Sequence, residues 1–168
     1  MGMDTARDLF QHELLDMYDA EHRIITALPS MVKEATDPAL QKAFEQHEQQ
    51  TQQHIKRIED CCKSLGIEAK RETCPGMAGL ITEHERFLKE KPSPPVLTLF
   101  LMDAGQKVEH YEIVGYRGLI DLAKQVGETA CVDLLSQTLN DEESMAEQLE
   151  TIEQKGSESL VQQASRGS

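Results

Sequence analysis

Basic residues are in deficit in this 168-residue chain: 17 Lys and Arg face 30 Asp and Glu, leaving a formal charge of −13. Such a surface repels phosphate backbones and anionic headgroups, which argues against nucleic acid or a membrane surface as partner. No run of about 18 apolar residues occurs, so no segment is a candidate bilayer-spanning helix. The opening stretch, MGMDTARDLFQHELLDMYDAEH, carries charges where a secretory signal would be apolar, and a cytoplasmic protein is therefore expected. No C-x-x-C pair exists among Cys61, Cys62, Cys74 and Cys131, and two of the four are adjacent. That arrangement suits neither a pair of zinc ligands nor an ordinary disulfide, so all four read as thiols. A Gly-rich phosphate loop and a nucleophile elbow are both missing, which leaves a transferase or hydrolase without its usual framework. Tryptophan is absent and aromatic residues total 4%, whereas Leu, Ala, Glu, Gln, Met and Lys are plentiful. That mixture favours helices packed on helices.

Prolines and glycines divide the chain into four long segments and one short one. In each long segment apolar residues recur at alternating steps of four and three, the seam of a helix in a bundle. The first seam reads Phe10, Leu14, Met17, Glu21, Ile24, Leu28, Met31 and Ala35. The second follows Asp37-Pro38, a capping residue and a first-turn proline, and reads Leu40, Phe44, His47, Thr51, His54, Ile58, Cys61 and Leu65. A short helix is expected over Met77 to Leu88 in the connection that follows. After the PSPP stretch the third seam reads Leu101, Gly105, Val108, Glu112, Gly115, Leu119, Leu122 and Val126, with Glu109 beside it. The fourth, after Gly127, reads Cys131, Leu135, Thr138, Glu142, Met145, Leu149 and Ile152. The expected fold is an all-α, antiparallel four-helix bundle over residues 1–155, with a short extra helix in the crossover between helices 2 and 3. Residues 156–168 read as a polar, disordered tail.

A carboxylate in an apolar seam must lose its hydration, so it shifts its pKa or finds a partner. Folding the last two helices about Gly127 brings Glu112 and Glu142 within about two residues of the same level, or ~3 Å along the axis. Folding the first two about Asp37-Pro38 puts Glu21 nearer His54 than His47, with His47 displaced by up to ~8 Å for straight helices. Glu21, Glu109, Glu112 and Glu142 with a histidine are the donor set that ferritin-like bundles use for two metal ions. Four carboxylates balance two divalent cations, and oxygen-rich ligands with imidazole suit iron, or manganese, better than copper or structural zinc.

VEHYEIVGY at residues 108–116, with ELLDMYDAEHRI, AFEQHEQQT and LLSQTLNDEES, resembles the YciE/YciF family of bacterial ferritin-like stress proteins. The likeness runs from about Leu9 to Leu149 and includes the segment from Cys74 to Leu80. It implies a cytoplasmic, homodimeric bundle with an iron-type dinuclear site and a role in stress responses. It assigns the metal ligands to Glu21, His47, Glu109, Glu112 and Glu142, and leaves His54 outside the set. The family usually carries Glu where this chain has Gln50, and often Asp where it has Ala146.

Two functions follow from these residues. The first is an iron- or manganese-binding stress protein, at most oxidising Fe(II) with dioxygen or peroxide. The alternative is a dimeric structural or adaptor bundle with a vestigial metal site, towards which Gln50 and Ala146 lean. Leu9, Leu15, Ile25, Ile113 and Ile120, apolar residues off the seams, need cover from a dimer partner or from the short helix.

Overall fold

A computed structural model describes residues 2–165, and among them every regular element is a helix. The helices are α1 (Ala6–Glu34), α2 (Pro38–Leu65), α3 (Pro75–Lys89), α4 (Pro94–Val126) and α5 (Thr129–Ser165). Local chemistry fixes their ends. Thr5 and Asp8 form a reciprocal capping box at the start of α1, where the Asp8 carboxylate accepts from the Thr5 amide at 2.8 Å. Asp37 accepts from the amides of Ala39 and Leu40, both at 2.9 Å, with Pro38 in the first turn of α2 as the sequence predicts. α2 and α4 both end on a left-handed glycine, Gly66 at φ +70° and Gly127 at φ +80°. At Gly127 the Glu128 amide reaches back to the Ala123 carbonyl at 2.9 Å, which closes the last turn and returns the chain within two residues. α1 continues through Pro29, whose missing N–H leaves the Ile25 carbonyl without its helical donor.

The four long helices touch in a closed cycle: α1 on α2, α2 on α5, α5 on α4 and α4 on α1. The short α3 lies against α1 and α4. Asp19 anchors the connection before α3, its buried carboxylate accepting from the Arg71 side chain and the Cys74 amide, both at 2.8 Å, and from Arg23 at 2.5 Å. Burial alone would raise the Asp19 carboxyl, yet the Cys74 amide, with the Arg23 and Arg71 side chains, holds it below its ordinary value.

The seams of α1, α2 and α5 are buried along almost their whole length. α4 differs from expectation, because it is sheltered on two sides. Met102, Glu109, Ile113, Tyr116, Ile120 and Ala123 are buried beside its predicted seam. Ile113 and Ile120 therefore find their cover within the chain, whereas Leu9 stays 39% exposed and Val114 69%. A second departure concerns the C-terminus: in place of a polar tail from residue 156, α5 remains helical to Ser165. Leu160 packs against the core there and gives those turns an apolar anchor. Residues 166–168, the rest of the expected tail, lie outside the described residues. All four cysteines are buried and free, as thiols. Among the described residues no helix is long and apolar enough to cross a membrane.

Candidate metal centre

Four helices deliver polar side chains to one buried layer. α1 contributes Glu21, α2 contributes His47 and His54, α4 contributes Glu109 and Glu112, and α5 contributes Glu142. None of these six exposes more than 2% of its surface. The spacings explain how they meet: Glu109 and Glu112 lie three residues apart on one face of α4, and His47 and His54 two turns apart on one face of α2.

The layer consists of two groups of donors that share Glu142. In the first, His47, Glu109, Glu112 and Glu142 offer ligand atoms that all lie within 4.8 Å of one another. His47 Nε2 is 3.4 Å from Glu109 Oε1 and 3.7 Å from Glu112 Oε2, and His47 Nδ1 is 3.8 Å from Glu142 Oε2. In the second, Glu21, His54 and Glu142 converge, with His54 Nδ1 2.9 Å from Glu142 Oε1 and 3.5 Å from Glu21 Oε1. Two oxygens of one carboxylate thus face two different imidazoles. All five residues expected as ligands are brought together, and His54, left out of the expected set, joins them. Straight-helix counting disfavoured His47 because it treated the layer as one level. Glu109 and Glu112 of α4 meet His47, Glu21 of α1 meets His54, and Glu142 of α5 reaches both, so the layer extends along the axis over more than one level.

Around this layer the supporting contacts are few. Tyr116 donates its hydroxyl to Glu21 Oε1. His54 Nε2 faces Asp141 Oδ2 at 3.3 Å, and Arg57 donates to the same oxygen at 2.7 Å and to Thr138 Oγ1 at 3.2 Å. Arg57 and Arg23 therefore neutralise Asp141 and Asp19 rather than Glu21. The remaining donors are orphaned. Both nitrogens of His47, both oxygens of Glu112 and of Glu142, Glu21 Oε2, Glu109 Oε2, His54 Nδ1 and Gln50 Oε1 are buried without a hydrogen bond. Buried polar groups are ordinarily paired, and each left unpaired costs about 1–3 kcal/mol.

Titration follows from this crowding. Burial pushes Glu109 and Glu112 well above the carboxylate range, and the negative charge of Glu142 pushes them further. Burial works against the charged form of His54, but Glu21 and Glu142 outweigh it and raise the imidazole to about 10. His47 is lowered, since burial there exceeds the pull of Glu142 and Glu21. Burial would raise Glu142, yet His54 and His47 hold it below its ordinary value. Without metal, Glu109 and Glu112 thus favour the protonated form and His54 the charged form beside Glu142, and these protons are what an incoming cation would displace.

Sequence reading assigned no role to Asp141 or Thr138, which lie one residue and one turn from Glu142 on α5; that adjacency was the available signal. His84 is buried and faces Glu34 at 2.7 Å while stacking on Phe100. Tyr18 and Tyr111 bond away from the layer, to Glu59 at 2.9 Å and to the Cys74 sulfur at 3.1 Å.

Comparison with known proteins follows the same outline. The profile of a family described as a domain of unknown function, DUF892, matches residues 5–164. Protein YciF of Escherichia coli K12 is 36% identical over 145 residues, 86% of this chain and 87% of YciF. Among solved structures, YcfI from Rhodopseudomonas palustris superimposes with a TM-score of 0.87 at 36% identity, covering 89% of this chain and 95% of its own. The E. coli stress protein YciF gives 0.85 at 34% identity over 89% of this chain and 95% of its own. A Xanthomonas campestris protein, 22% identical, shares the fold with a TM-score of 0.77, over 95% and 98% of the two chains.

Proposed function

The chain belongs to the DUF892 family, and on that footing we propose that its long helices form an antiparallel ferritin-like four-helix bundle, with α3 as the extra crossover helix, that binds iron or manganese in its centre. The observation that carries this reading is the set of ten buried donors and acceptors without a hydrogen bond around a single layer, of which His54 Nδ1 and Glu142 Oε1 are in ion-pair contact at 2.9 Å. A protein core does not ordinarily keep that many unpaired polar groups in one place. The donors fit a pair of divalent cations. His47, Glu109 and Glu112 would hold one, Glu21 and His54 the other, and Glu142 would serve both. Four carboxylates balance two divalent charges, and neutral imidazoles add none. Carboxylate oxygens with one imidazole per ion suit iron or manganese.

Held by His47, Glu109, Glu112 and Glu142 and by Glu21 and His54, iron would supply one-electron redox chemistry towards dioxygen or peroxide. The chain's own contribution is positioning and charge. Tyr116 fixes Glu21, Asp141 orients His54, and the surrounding apolar side chains keep bulk water from the layer. Gln50 Oε1, buried and unpaired beside His47 on α2, is a neutral donor where relatives are expected to carry a carboxylate. The stress-protein description of YciF supports a role in a stress response, and the exposed apolar side chains of Leu9 and Val114 support a homodimer.

Gln50 and Ala146 favour a second reading, a structural or adaptor bundle that keeps only the remnant of a site. One experiment separates the two. After anaerobic loading with Fe(II) or Mn(II) and desalting, elemental analysis should give one or two ions per chain. Less than about a tenth of an equivalent would leave the adaptor reading.

A further inference from the structure

Beside the layer lies a cavity bounded by α1, α2, α3 and α4, with about 30 Å³ of free volume. Its walls are apolar, formed among others by Leu28, Phe44, Ile81 and Val108. His47 and Glu109 close its inner end, and its outer end lies at Glu83 and Lys107, which face each other at 3.4 Å on the exposed surface of α3 and α4. The cavity thus connects the outside of the crossover helix with the first group of donors, and with unpaired atoms of both His47 and Glu109.

Size and lining restrict what can enter. One water-sized molecule needs roughly 10–15 Å³ by this measure, so the space holds one or two small molecules, whereas drug-sized ligands occupy sites of about 300 Å³ or more. Apart from His84, whose Nε2 is engaged by Glu34 at 2.7 Å, and the polar groups at the two ends, the walls offer a water few of the two to four polar partners that hold buried water. A small apolar molecule gives up no hydrogen bonds on entering. An exposed Lys–Glu pair at the mouth is weak enough to open.

Resting on the metal-centre reading above, we propose that this cavity is the entry and binding site for dioxygen, delivering it to the His47 and Glu109 side of the layer. α3 then has a function as well as a place, because Met77, Leu80 and Ile81 supply the wall that the four long helices leave open. Electrons still come from Fe(II) in the layer, two per dioxygen, with two protons taken up as hydrogen peroxide forms.

Xenon, an apolar probe of similar size, tests the cavity in metal-free protein, by 129Xe NMR and by pressurised crystals. Xenon should occupy the space between Leu28, Phe44 and Val108 in the wild type and be lost from Ala104→Leu and Ala27→Leu, which fill it from α4 and from α1. Both variants should load Fe(II) to the wild-type stoichiometry, which reports an intact fold, and oxidise it with dissolved dioxygen about tenfold more slowly. Three results would overturn the proposal: no xenon in the cavity, ordered water along its walls, or variants that exclude xenon yet react at the wild-type rate. Failure of the metal reading shows separately, as wild type that takes up no ion. The xenon result on metal-free protein would then still decide whether the cavity accepts a small apolar molecule.

Discussion

Replacing Glu112 by Leu removes a side chain whose two oxygens are buried and unpaired and puts an apolar group of similar volume in its place. An unsatisfied buried carboxyl costs on the order of 1–3 kcal/mol even when protonated, so metal-free Glu112→Leu should be more stable than wild type by about that amount near pH 4.5. For a domain of this size the gain is a rise in melting temperature of about 2–10 °C. The gap has a definite pH dependence. The folded carboxyl is held well above its ordinary value, so its contribution is fully present below the unfolded pKa and fades as pH rises towards the folded one. Wild type therefore loses stability relative to the mutant above pH 4.5, by up to about 1.4 kcal/mol per pH unit while one proton separates the folded and unfolded states. Metal narrows the gap. A cation bound only to the folded wild type at a hundred times its dissociation constant adds about 2.7 kcal/mol, and the mutant should gain much less. Thermal melts of both proteins at pH 4.5, 6 and 7, with and without Mn(II), provide the measurement. A mutant that melts with metal-free wild type at every pH, beside a wild type indifferent to Mn(II), would refute the reasoning, for it would mean that Glu112 is neither buried nor a ligand.

The shared position of Glu142 predicts an unequal pattern of metal loss. His47→Ala and His54→Ala should each lower the bound metal by about one ion per chain from two, while Glu142→Ala should empty both groups; equal effects of all three in elemental analysis would count against two sites joined by one carboxylate. The dimer is open to a simpler measurement. Light scattering at tens of micromolar should give about twice the 18.9 kDa chain mass, and Val114→Glu, which charges a residue 69% exposed on α4, should lower it if that face is the interface. A monomer in the wild type would leave the metal centre untouched and remove the dimer.

The sequence by itself determined where the helices start and which faces of α1, α2 and α5 turn inward, because both are local. Capping by Thr5 and Asp37, the prolines at helix starts and the glycines at Gly66 and Gly127 act within a turn, and a seam repeating at three and four residues has only one way to be buried. Equal distances of Glu112 and Glu142 from Gly127 also made their meeting legible, since a two-residue turn leaves little freedom in register. The rest depended on how far side chains reach between helices. Whether His47 or His54 meets the carboxylates could not be read from spacing, because a glutamate spans most of a helical turn and the layer is longer than one level. That Glu142 faces both histidines, that Tyr116 bonds Glu21 and that Asp141 pairs with His54 and Arg57 are relations between elements far apart in the chain. The burial of Ile113 and Ile120, the helical continuation to Ser165 and the apolar cavity under α3 have the same origin. They depend on which helix lies beside which, and only packing in three dimensions decides that.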